Sequence, residues 1–282
     1  MKILRVFPQR TSYTPTDDLV CIGAPPGLLI PPHDEVHISC TFTWDKGYCE
    51  DLRYQWEAYT DKPVRLGGPA YASPVNSFTP GLYVRNDSKH KITFTSRGCN
   101  NNCPWCCVPS REGRLRELPV VAGNVIQDNN FLQCNRRHKD NVFEMLKGQR
   151  GICFKGGLEA DLIDDHFVEA ARGVRTAEIW LACDTDGALP AFRKAMSKLR
   201  PYFSRDKVRC YVLIGGDMDK NEARLREIYH EGAMPFAQLF QPLEEKRKEY
   251  SPEWKKFHRM WSRPAATVAH VERGTNMMDF NT

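Results

Sequence analysis

The 282-residue sequence contains no long apolar run. A membrane-spanning helix needs about 20 consecutive apolar residues, and no stretch of the chain has that character. The first seven residues include Lys2 and Arg5, and they lack the apolar core of a secretory signal peptide. We therefore expect no membrane domain and a cytoplasmic location.

The sequence also lacks a strong excess of either charge. Its 40 Lys and Arg residues against 35 Asp and Glu residues give a net charge of +5, which permits an anionic partner without requiring one. No repeat of fixed period is present, which excludes a solenoid. With 41% hydrophobic and 27% charged residues, the composition excludes a largely disordered chain, and the length fits one or two globular domains.

Cysteine, by contrast, is abundant. The chain carries 11 cysteines, an odd number that cannot pair completely into disulfides. In a reducing compartment, clustered cysteines usually indicate metal binding or redox chemistry. The distribution of the cysteines along the chain is therefore the first guide to function.

Residues 1–88 are predicted to form a small α/β domain. Strand patterns cover residues 3–7, 36–42 and 64–66, and an amphipathic helix pattern covers residues 48–59. Because the helix pattern lies between the second and third strand patterns, this β-α-β order predicts a small parallel sheet.

Residues 89–242 show a regular alternation of strand and helix patterns. The six predicted strands are 91–96, 124–127, 152–155, 178–183, 208–214 and 236–240. The predicted helices are 138–147, 164–172, 189–199 and 220–231. Continuous apolar strand cores are expected where helices cover a parallel sheet, so the pattern predicts an α/β barrel or open sheet.

Residues 243–282 are predicted to form a helical extension and a tail. Trp254, Phe257 and Trp261 recur at helical spacing in this region. We expect these rings to pack a terminal helix against the preceding sheet.

Three cysteines lie close together directly after the first of these six strands. Cys99, Cys103 and Cys106 have the spacing C-x3-C-x2-C. Three thiolates can hold three irons of a [4Fe–4S] cluster and leave the fourth iron open. A structural zinc site would need a fourth Cys or His nearby. A zinc knuckle and a passive electron-transfer cluster remain alternatives at this point.

The loop resembles the cluster motif of the radical S-adenosylmethionine (radical SAM) enzymes, C-x3-C-x-aromatic-C, with Trp105 in the aromatic position. The strand-helix units over residues 91–242 resemble the partial (β/α)6 TIM-like barrel of that superfamily. Residues 96–99, 127–131 and 213–215 are similar to the branch that has a cobalamin-binding-like N-terminal domain. Compact chains of this kind are also similar to uncharacterised radical SAM proteins of bacteria and phages.

This resemblance implies a set of domains. Residues 89–242 would form the barrel, residues 243–282 the helical extension, and residues 1–88 a degenerate cobalamin-binding-like domain. No Asp-x-His-x-x-Gly motif is present, so bound cobalamin is not expected.

The resemblance also implies the cofactors. A [4Fe–4S] cluster on Cys99, Cys103 and Cys106 would bind S-adenosylmethionine (SAM) at its open iron, beside Trp105. One electron, from a donor such as flavodoxin or ferredoxin, would cleave SAM to a 5′-deoxyadenosyl radical. That radical would abstract a hydrogen atom from the substrate, which makes the expected protein an enzyme.

The SAM contacts implied by the resemblance lie at the ends of the barrel strands. Asp128 or Asn129 would accept the amino group, and Glu159 would contact the amino group or the ribose. Asp184 would bind the ribose hydroxyls, and Gly215 would lie against the adenine. Helix caps and tight turns are the competing explanation for each of these residues.

The other cysteines leave further explanations open. Cys21, Cys40 and Cys49 would hold an auxiliary cluster if the chain were similar to the methylthiotransferases, and buried structural cysteines are the alternative. A non-catalytic iron–sulfur protein is a third explanation of the loop. Cys183, at a strand end, is a candidate hydrogen donor.

Basic residues surround the cysteine loop and bear on the substrate. They are Arg85, Lys89, Lys91, Arg97, Arg111, Arg114 and Arg116, against the acidic Asp87, Glu112 and Glu117. A nucleic acid base or a nucleotide precursor is therefore a candidate substrate. An ordinary solvated face is the alternative.

Overall fold

The computed structural model describes residues 1–27, 30–71, 81–87, 89–242 and 247–272. These residues form two parallel sheets, a two-stranded ribbon and eight α-helices. The strands are β1 (Ile3–Phe7), β2 (Val20–Ile22), β3 (Glu35–Ser39), β4 (Val64–Gly67), β5 (Ile92–Thr93), β6 (Ser96–Arg97), β7 (Arg116–Glu117), β8 (Val125–Ile126), β9 (Ile152–Glu159), β10 (Thr176–Ala182), β11 (Val208–Ile214) and β12 (Met234–Leu239). The helices are α1 (Lys46–Tyr59), α2 (Val108–Arg111), α3 (Arg136–Lys147), α4 (Asp165–Gly173), α5 (Leu189–Leu199), α6 (Met218–His230), α7 (Pro252–Ser262) and α8 (Pro264–Glu272).

The first four strands form a parallel sheet in the order β2-β1-β3-β4. Apolar side chains of β1 and β3, such as Val6 and Ile38, are fully buried against Leu52 and Trp56 of α1. The predicted β-α-β order and its parallel pairing are confirmed. The sequence pattern misses β2, because this strand has only three residues and all three are half-buried.

The second sheet contains β5, β8, β9, β10, β11 and β12, which are parallel and lie side by side in chain order. All six predicted strands are present, and the α/β class is confirmed. The edge strands β5 and β12 do not pair with each other, so the sheet is open and its closure into a barrel is not observed. Between β5 and β8 the chain forms the β6–β7 ribbon and short α2 instead of a long helix.

Helices α3 to α6 follow β8 to β11 and cover the second sheet. The spacing of apolar residues predicted each of these helices. Two of them begin two residues earlier than predicted, because a capping side chain precedes each one. The Asn135 side chain accepts a hydrogen bond from the His138 amide at 2.8 Å, and α3 begins at Arg136. Asp217 accepts one from the Lys220 amide at 3.1 Å, and α6 begins at Met218.

Strand β9 is twice the predicted length, because it continues through two glycines. Its pairing with β10 shifts register between Phe154 and Leu158, which marks a β-bulge at this place. A Cβ atom on Gly156 would lie 1.7 Å from the backbone oxygen of Asp128. The absence of a side chain therefore lets β9 pass directly beside the turn that follows β8.

The predicted C-terminal helix is present as α7, which buries Phe257 and Trp261 in the core of the second sheet. Among the described residues, no helix combines the length and the apolar character that a membrane crossing requires.

Replacing Gly156 with Ala tests the contact between β9 and the turn after β8. We expect Gly156→Ala to lower the free energy of unfolding by about 1–3 kcal/mol, because the new methyl group meets backbone that must shift. Gly173→Ala is the matched control, since a Cβ at Gly173 meets no atom within 4 Å. Urea denaturation measures both, and equal stabilities for the two variants would contradict the assigned contact.

Candidate functional site

The cysteine loop and the carboxyl ends of the second sheet enclose a cavity of about 630 Å³, which we call the main cavity. Seven of the residues predicted for the site line it: Cys99, Cys103, Trp105, Cys106, Asn129, Glu159 and Asp184. Asp128 and Gly215 are not among the described residues of its wall. The structure therefore gathers the loop and three of the five predicted strand-end residues around one space.

The β6–β7 ribbon closes the base of the cysteine loop. Ser96 pairs with Glu117 and Arg97 with Arg116, so the ribbon joins the two ends of the loop. Gly98 has a φ of +83°, and a Cβ atom there would lie 2.2 Å from the carbonyl oxygen of Arg114. The loop thus turns sharply at Gly98, directly before its first cysteine.

Arg97 stabilises this ribbon. Its guanidinium donates two hydrogen bonds to the Glu112 carboxylate and lies 4.9 Å from the centre of the Phe94 ring. Glu112 and Arg97 are both mostly buried, so the pair holds one turn of the loop against the ribbon. The sequence suggested that the positive charge of Arg97 could attract an anionic ligand. In the structure this charge is paired with Glu112.

Asp128 lies beneath the loop. Its carboxylate accepts hydrogen bonds from the Thr95 amide (2.6 Å), the Thr95 hydroxyl (2.5 Å) and the Ser96 hydroxyl (2.8 Å). The residue is 2% exposed, and burial raises its pKa although these hydrogen bonds oppose the shift. The carboxylate therefore fixes the strand end from which the loop starts, instead of facing the cavity as predicted for an amino-group contact.

The residues that follow β8 hold the loop from the other side. Asn129 accepts a hydrogen bond from the Gly98 amide at 2.9 Å, and Gln133 accepts one from the Asn100 amide at 2.8 Å. The Asn130 amide nitrogen lies 3.6 Å from the Cys99 sulfur. Sequence reasoning missed Gln133, whose only signal was its place in the polar turn after the second strand.

Glu159 is the last residue of β9 and faces the main cavity. Its carboxylate accepts hydrogen bonds from Asn130 at 2.8 Å and from Gln133 at 3.0 Å. The same two amides contact the cysteine loop. Glu159 is therefore coupled to the loop through a shared polar network.

Asp184 follows β10 and connects three elements. It accepts a hydrogen bond from the Leu213 amide of β11 at 2.9 Å, and another from the Trp105 side chain. Burial raises its pKa, and both hydrogen bonds oppose that shift. Trp105 thus ties the tip of the cysteine loop to the end of β10.

Gly215, predicted to lie against the adenine, is not among the described residues that line the main cavity. A Cβ atom at this position would point to the Tyr250 hydroxyl at 3.6 Å and to Phe240 at 3.8 Å. Leu213 and Gln238 from the same end of the sheet line the cavity instead. The sequence suggested that the end of β11 is open, but Tyr250 from the segment before α7 packs beside it.

Lys155 and Tyr211 line the main cavity and contact further aromatic and charged side chains. Tyr211 lines the cavity, and its ring lies 4.4 Å from that of Trp180. The Glu178 carboxylate lies 3.3 Å from the Lys155 ammonium and 3.4 Å from the Arg209 guanidinium. Burial opposes ionisation of Glu178, but the Trp180 hydrogen bond and the two cations outweigh it, so its pKa is lowered. Sequence reasoning missed these residues, whose signal was a charged residue within each of three largely apolar strands.

The donor chemistry of the loop fits an iron–sulfur cluster with one open position. Cys99, Cys103 and Cys106 are free, half-buried thiols on one cavity, and burial first, then neighbouring thiols, raises the pKa of Cys103 and Cys106. Soft sulfur ligands in this number suit iron. Within the described ranges, no three Cys, His, Asp or Glu side chains already stand at metal-binding distances.

Four of the other cysteines, Cys21, Cys40, Cys49 and Cys183, do not line this cavity. Cys40 and Cys49 are fully buried in the core of the first sheet, and a hydrogen bond between them raises the pKa of Cys49. Cys21 packs against the same core, and the described residues form no metal-binding group of three there. Cys183 is fully buried, and burial raises its pKa to about 12, so its thiol does not reach the main cavity as a hydrogen donor would.

The basic surroundings of the loop are partly neutralised. Arg85 forms an ion pair with Asp87, and both Arg97 and Arg116 form ion pairs with Glu112. Three of the seven cations are therefore paired within the set that the sequence singled out.

The fold and the site together define a class: an open parallel α/β sheet with three thiols gathered at its carboxyl edge. No model of a known protein family matches the chain. A stretch of 113 residues is 26% identical to the ribosomal protein uS12 methylthiotransferase RimO of a Nitratiruptor species. The match covers 37% of this chain and only about a quarter (25%) of that protein. This partial similarity supports the radical SAM superfamily and no finer assignment.

Thiol labelling tests the division of the cysteines into an accessible loop and a buried core. With iodoacetamide at pH 8, we expect metal-free protein to be modified at Cys99, Cys103 and Cys106 long before Cys183 or Cys210. The thiolate is the reactive form, and burial raises the pKa of Cys183 to about 12, far above the working pH. Peptide mass spectrometry gives the order, and early labelling of Cys183 would contradict the structure.

Proposed function

We propose that this chain is a radical SAM enzyme that holds one [4Fe–4S] cluster through Cys99, Cys103 and Cys106. One observation carries the proposal: three thiols with the spacing C-x3-C-x2-C line a single cavity at the carboxyl edge of a parallel sheet. The edge of such a sheet is where α/β proteins bind ligands. The partial similarity to a curated methylthiotransferase supports the superfamily.

The cofactors supply the difficult chemistry. When both are bound, the site provides one-electron cleavage of SAM to methionine and a 5′-deoxyadenosyl radical, which removes a hydrogen atom from the substrate. The electron comes from a reduced donor of the flavodoxin or ferredoxin class. We place the reaction in the cytoplasm, where such donors and reduced thiols occur together.

The chain's own residues would position SAM. Glu159 and Asn129 face the cavity from the ends of β9 and β8, and they are suited to accept hydrogen bonds from the amino group. Asp184 faces it from the end of β10 and is suited to the ribose hydroxyls. Because Asp184 is bonded to Trp105 and to the Leu213 amide, its carboxylate is held in place before a ligand arrives.

Tyr211 would help to keep water from the reacting groups. It lines the main cavity, its ring lies 4.4 Å from that of Trp180, and its hydroxyl donates a hydrogen bond to the Lys155 carbonyl at 3.2 Å. Exclusion of water protects a reactive intermediate from side reactions.

Two alternatives make different predictions. A non-catalytic cluster protein would load iron without binding SAM. An enzyme with an auxiliary cluster would need Cys21, Cys40 and Cys49 together, but Cys40 and Cys49 lie fully buried in the apolar core of the first sheet. No observation favours either alternative over a single-cluster enzyme.

Anaerobic reconstitution with iron and sulfide, followed by SAM and dithionite, tests the proposal. We expect about four irons per chain and formation of 5′-deoxyadenosine in the wild type. Cys99→Ser, Cys103→Ser and Cys106→Ser should each abolish the product and reduce bound iron. Cys107→Ser is the matched control, because Cys107 is adjacent and half-buried but lies outside the motif.

Two results would contradict the proposal. One is iron loading that survives substitution of the motif cysteines. The other is a fully loaded protein that neither binds SAM in a titration nor forms 5′-deoxyadenosine. Roughly eight irons per chain would instead favour the enzyme with an auxiliary cluster.

The role of Asp184 is tested by SAM affinity. We expect Asp184→Ala to weaken SAM binding about ten- to hundredfold, because a charge-assisted hydrogen bond contributes about 1.5–3 kcal/mol. Asp219→Ala is the control, since Asp219 is exposed in the first turn of α6. Equilibrium dialysis of the reconstituted protein gives both affinities, and equal values would remove Asp184 from the SAM site.

A further inference from the structure

A second cavity of about 520 Å³ lies between the first sheet and the cysteine loop; we call it the interdomain cavity. Phe7 and Ser39, the last residues of β1 and β3, line one side. Arg111 and Glu112, from the cysteine loop, line the other side. Its wall includes Cys107, Gln127 and Asn129, which also line the main cavity. The two cavities are therefore neighbours.

The topology of the first sheet marks this place as a ligand site. The strand order is β2-β1-β3-β4. The connection from β1 leads to β2 on one side of the sheet, and the connection from β3 leads to β4 on the opposite side. Open parallel sheets bind ligands at the carboxyl ends of the strands where the order reverses. That point lies between β1 and β3, whose carboxyl ends line the interdomain cavity.

The wall favours a flat ring. Five aromatic side chains face the cavity: Phe7, Tyr13, Phe42, Tyr83 and Phe94. Phe42 is itself backed by Trp44, with the two rings stacked at 4.7 Å and 6°. Such a rigid pair is a ready platform for stacking a planar ligand.

The polar groups of the wall favour hydrogen-bond donors. Asp45 stands at the N-cap position of α1, yet its side chain makes no capping hydrogen bond. Its Oδ2 atom and the Oε1 atom of Gln127 are buried and have no hydrogen-bond partner in the described part of the chain. Buried acceptors without partners are rare and costly, and a bound ligand is one of the explanations for them.

We propose that the interdomain cavity binds a planar heteroaromatic ring that carries N–H donors, stacked on Phe42 and hydrogen-bonded to Asp45 and Gln127. The identity of the ring rests on the proposed function: the ring is part of the substrate. The reacting carbon of that substrate then reaches the main cavity past Gln127 and Asn129. The ring recognition itself depends only on the cavity.

Equilibrium dialysis of the full chain against 2-aminopurine riboside tests the proposal, with anaerobically reconstituted and metal-free protein in parallel. We expect binding, and at least tenfold weaker binding of purine riboside, which lacks the exocyclic amino group. This comparison uses only the wild type and does not depend on the folding of a variant. A trinucleotide that carries 2-aminopurine tests whether the ring belongs to a nucleic acid strand or to a free nucleoside. Higher affinity for the trinucleotide than for the riboside would indicate a strand.

Variants locate the bound ring. Asp45→Ala and Phe42→Leu should each weaken binding of 2-aminopurine riboside at least tenfold, and circular dichroism checks their folding. Asp51→Ala is the matched control, because Asp51 is exposed on the same helix. Asp184→Ala should leave the affinity unchanged, since Asp184 lines only the main cavity of the two.

Three results would overturn the proposal. They are absence of binding at millimolar ligand, equal affinity for the two ribosides, and loss of binding in Asp184→Ala but not in Asp45→Ala. Failure of the proposed radical chemistry reads out separately, as a lack of iron loading or of 5′-deoxyadenosine. Ring binding by metal-free protein would still support ligand binding in the interdomain cavity.

Discussion

The buried carboxylate of Asp128 is the interaction on which the candidate site depends. It joins the end of β5 to the end of β8 through hydrogen bonds from Thr95 and Ser96, two residues with no exposed surface. Each hydrogen bond to a charged group contributes about 1.5–3 kcal/mol, while burial of a carboxylate costs several. The pKa of Asp128 is raised, because desolvation of the carboxylate outweighs these hydrogen bonds. The strand end is nevertheless fixed directly before Gly98 and the first cysteine.

Much of this architecture could be predicted from the sequence. The strands of the second sheet were visible from their apolar cores, such as residues 179–181 and 211–214, because helices cover this sheet. The cysteine loop was visible because its three thiols are close in sequence. Both signals are local, so neither required knowledge of the tertiary fold.

The rest depends on contacts between distant segments. The sequence suggested Asp128 as a ligand contact and gave no reason to single out Gln133. Both are polar residues that follow β8, and only packing decides which groups each of them contacts. Gly156 looked like the end of a strand, but the missing Cβ allows the strand to continue past Asp128. Gly215 looked open, but Tyr250 from the C-terminal region packs beside it. In each case the structure shows a contact with a residue that is distant in sequence, which the local pattern does not reveal.

The two sheets differ in what their carboxyl edges offer to a ligand. The second sheet presents thiols and the carboxylates of Glu159 and Asp184, whereas the first sheet presents aromatic rings beside Asp45. The cysteine loop lies between the two edges, and Cys107 belongs to both cavities. A molecule that extends from one edge to the other would therefore place a planar apolar part and a polar reacting part on opposite sides of the loop. Under the proposed function, the first sheet would contribute recognition and the second sheet the chemistry.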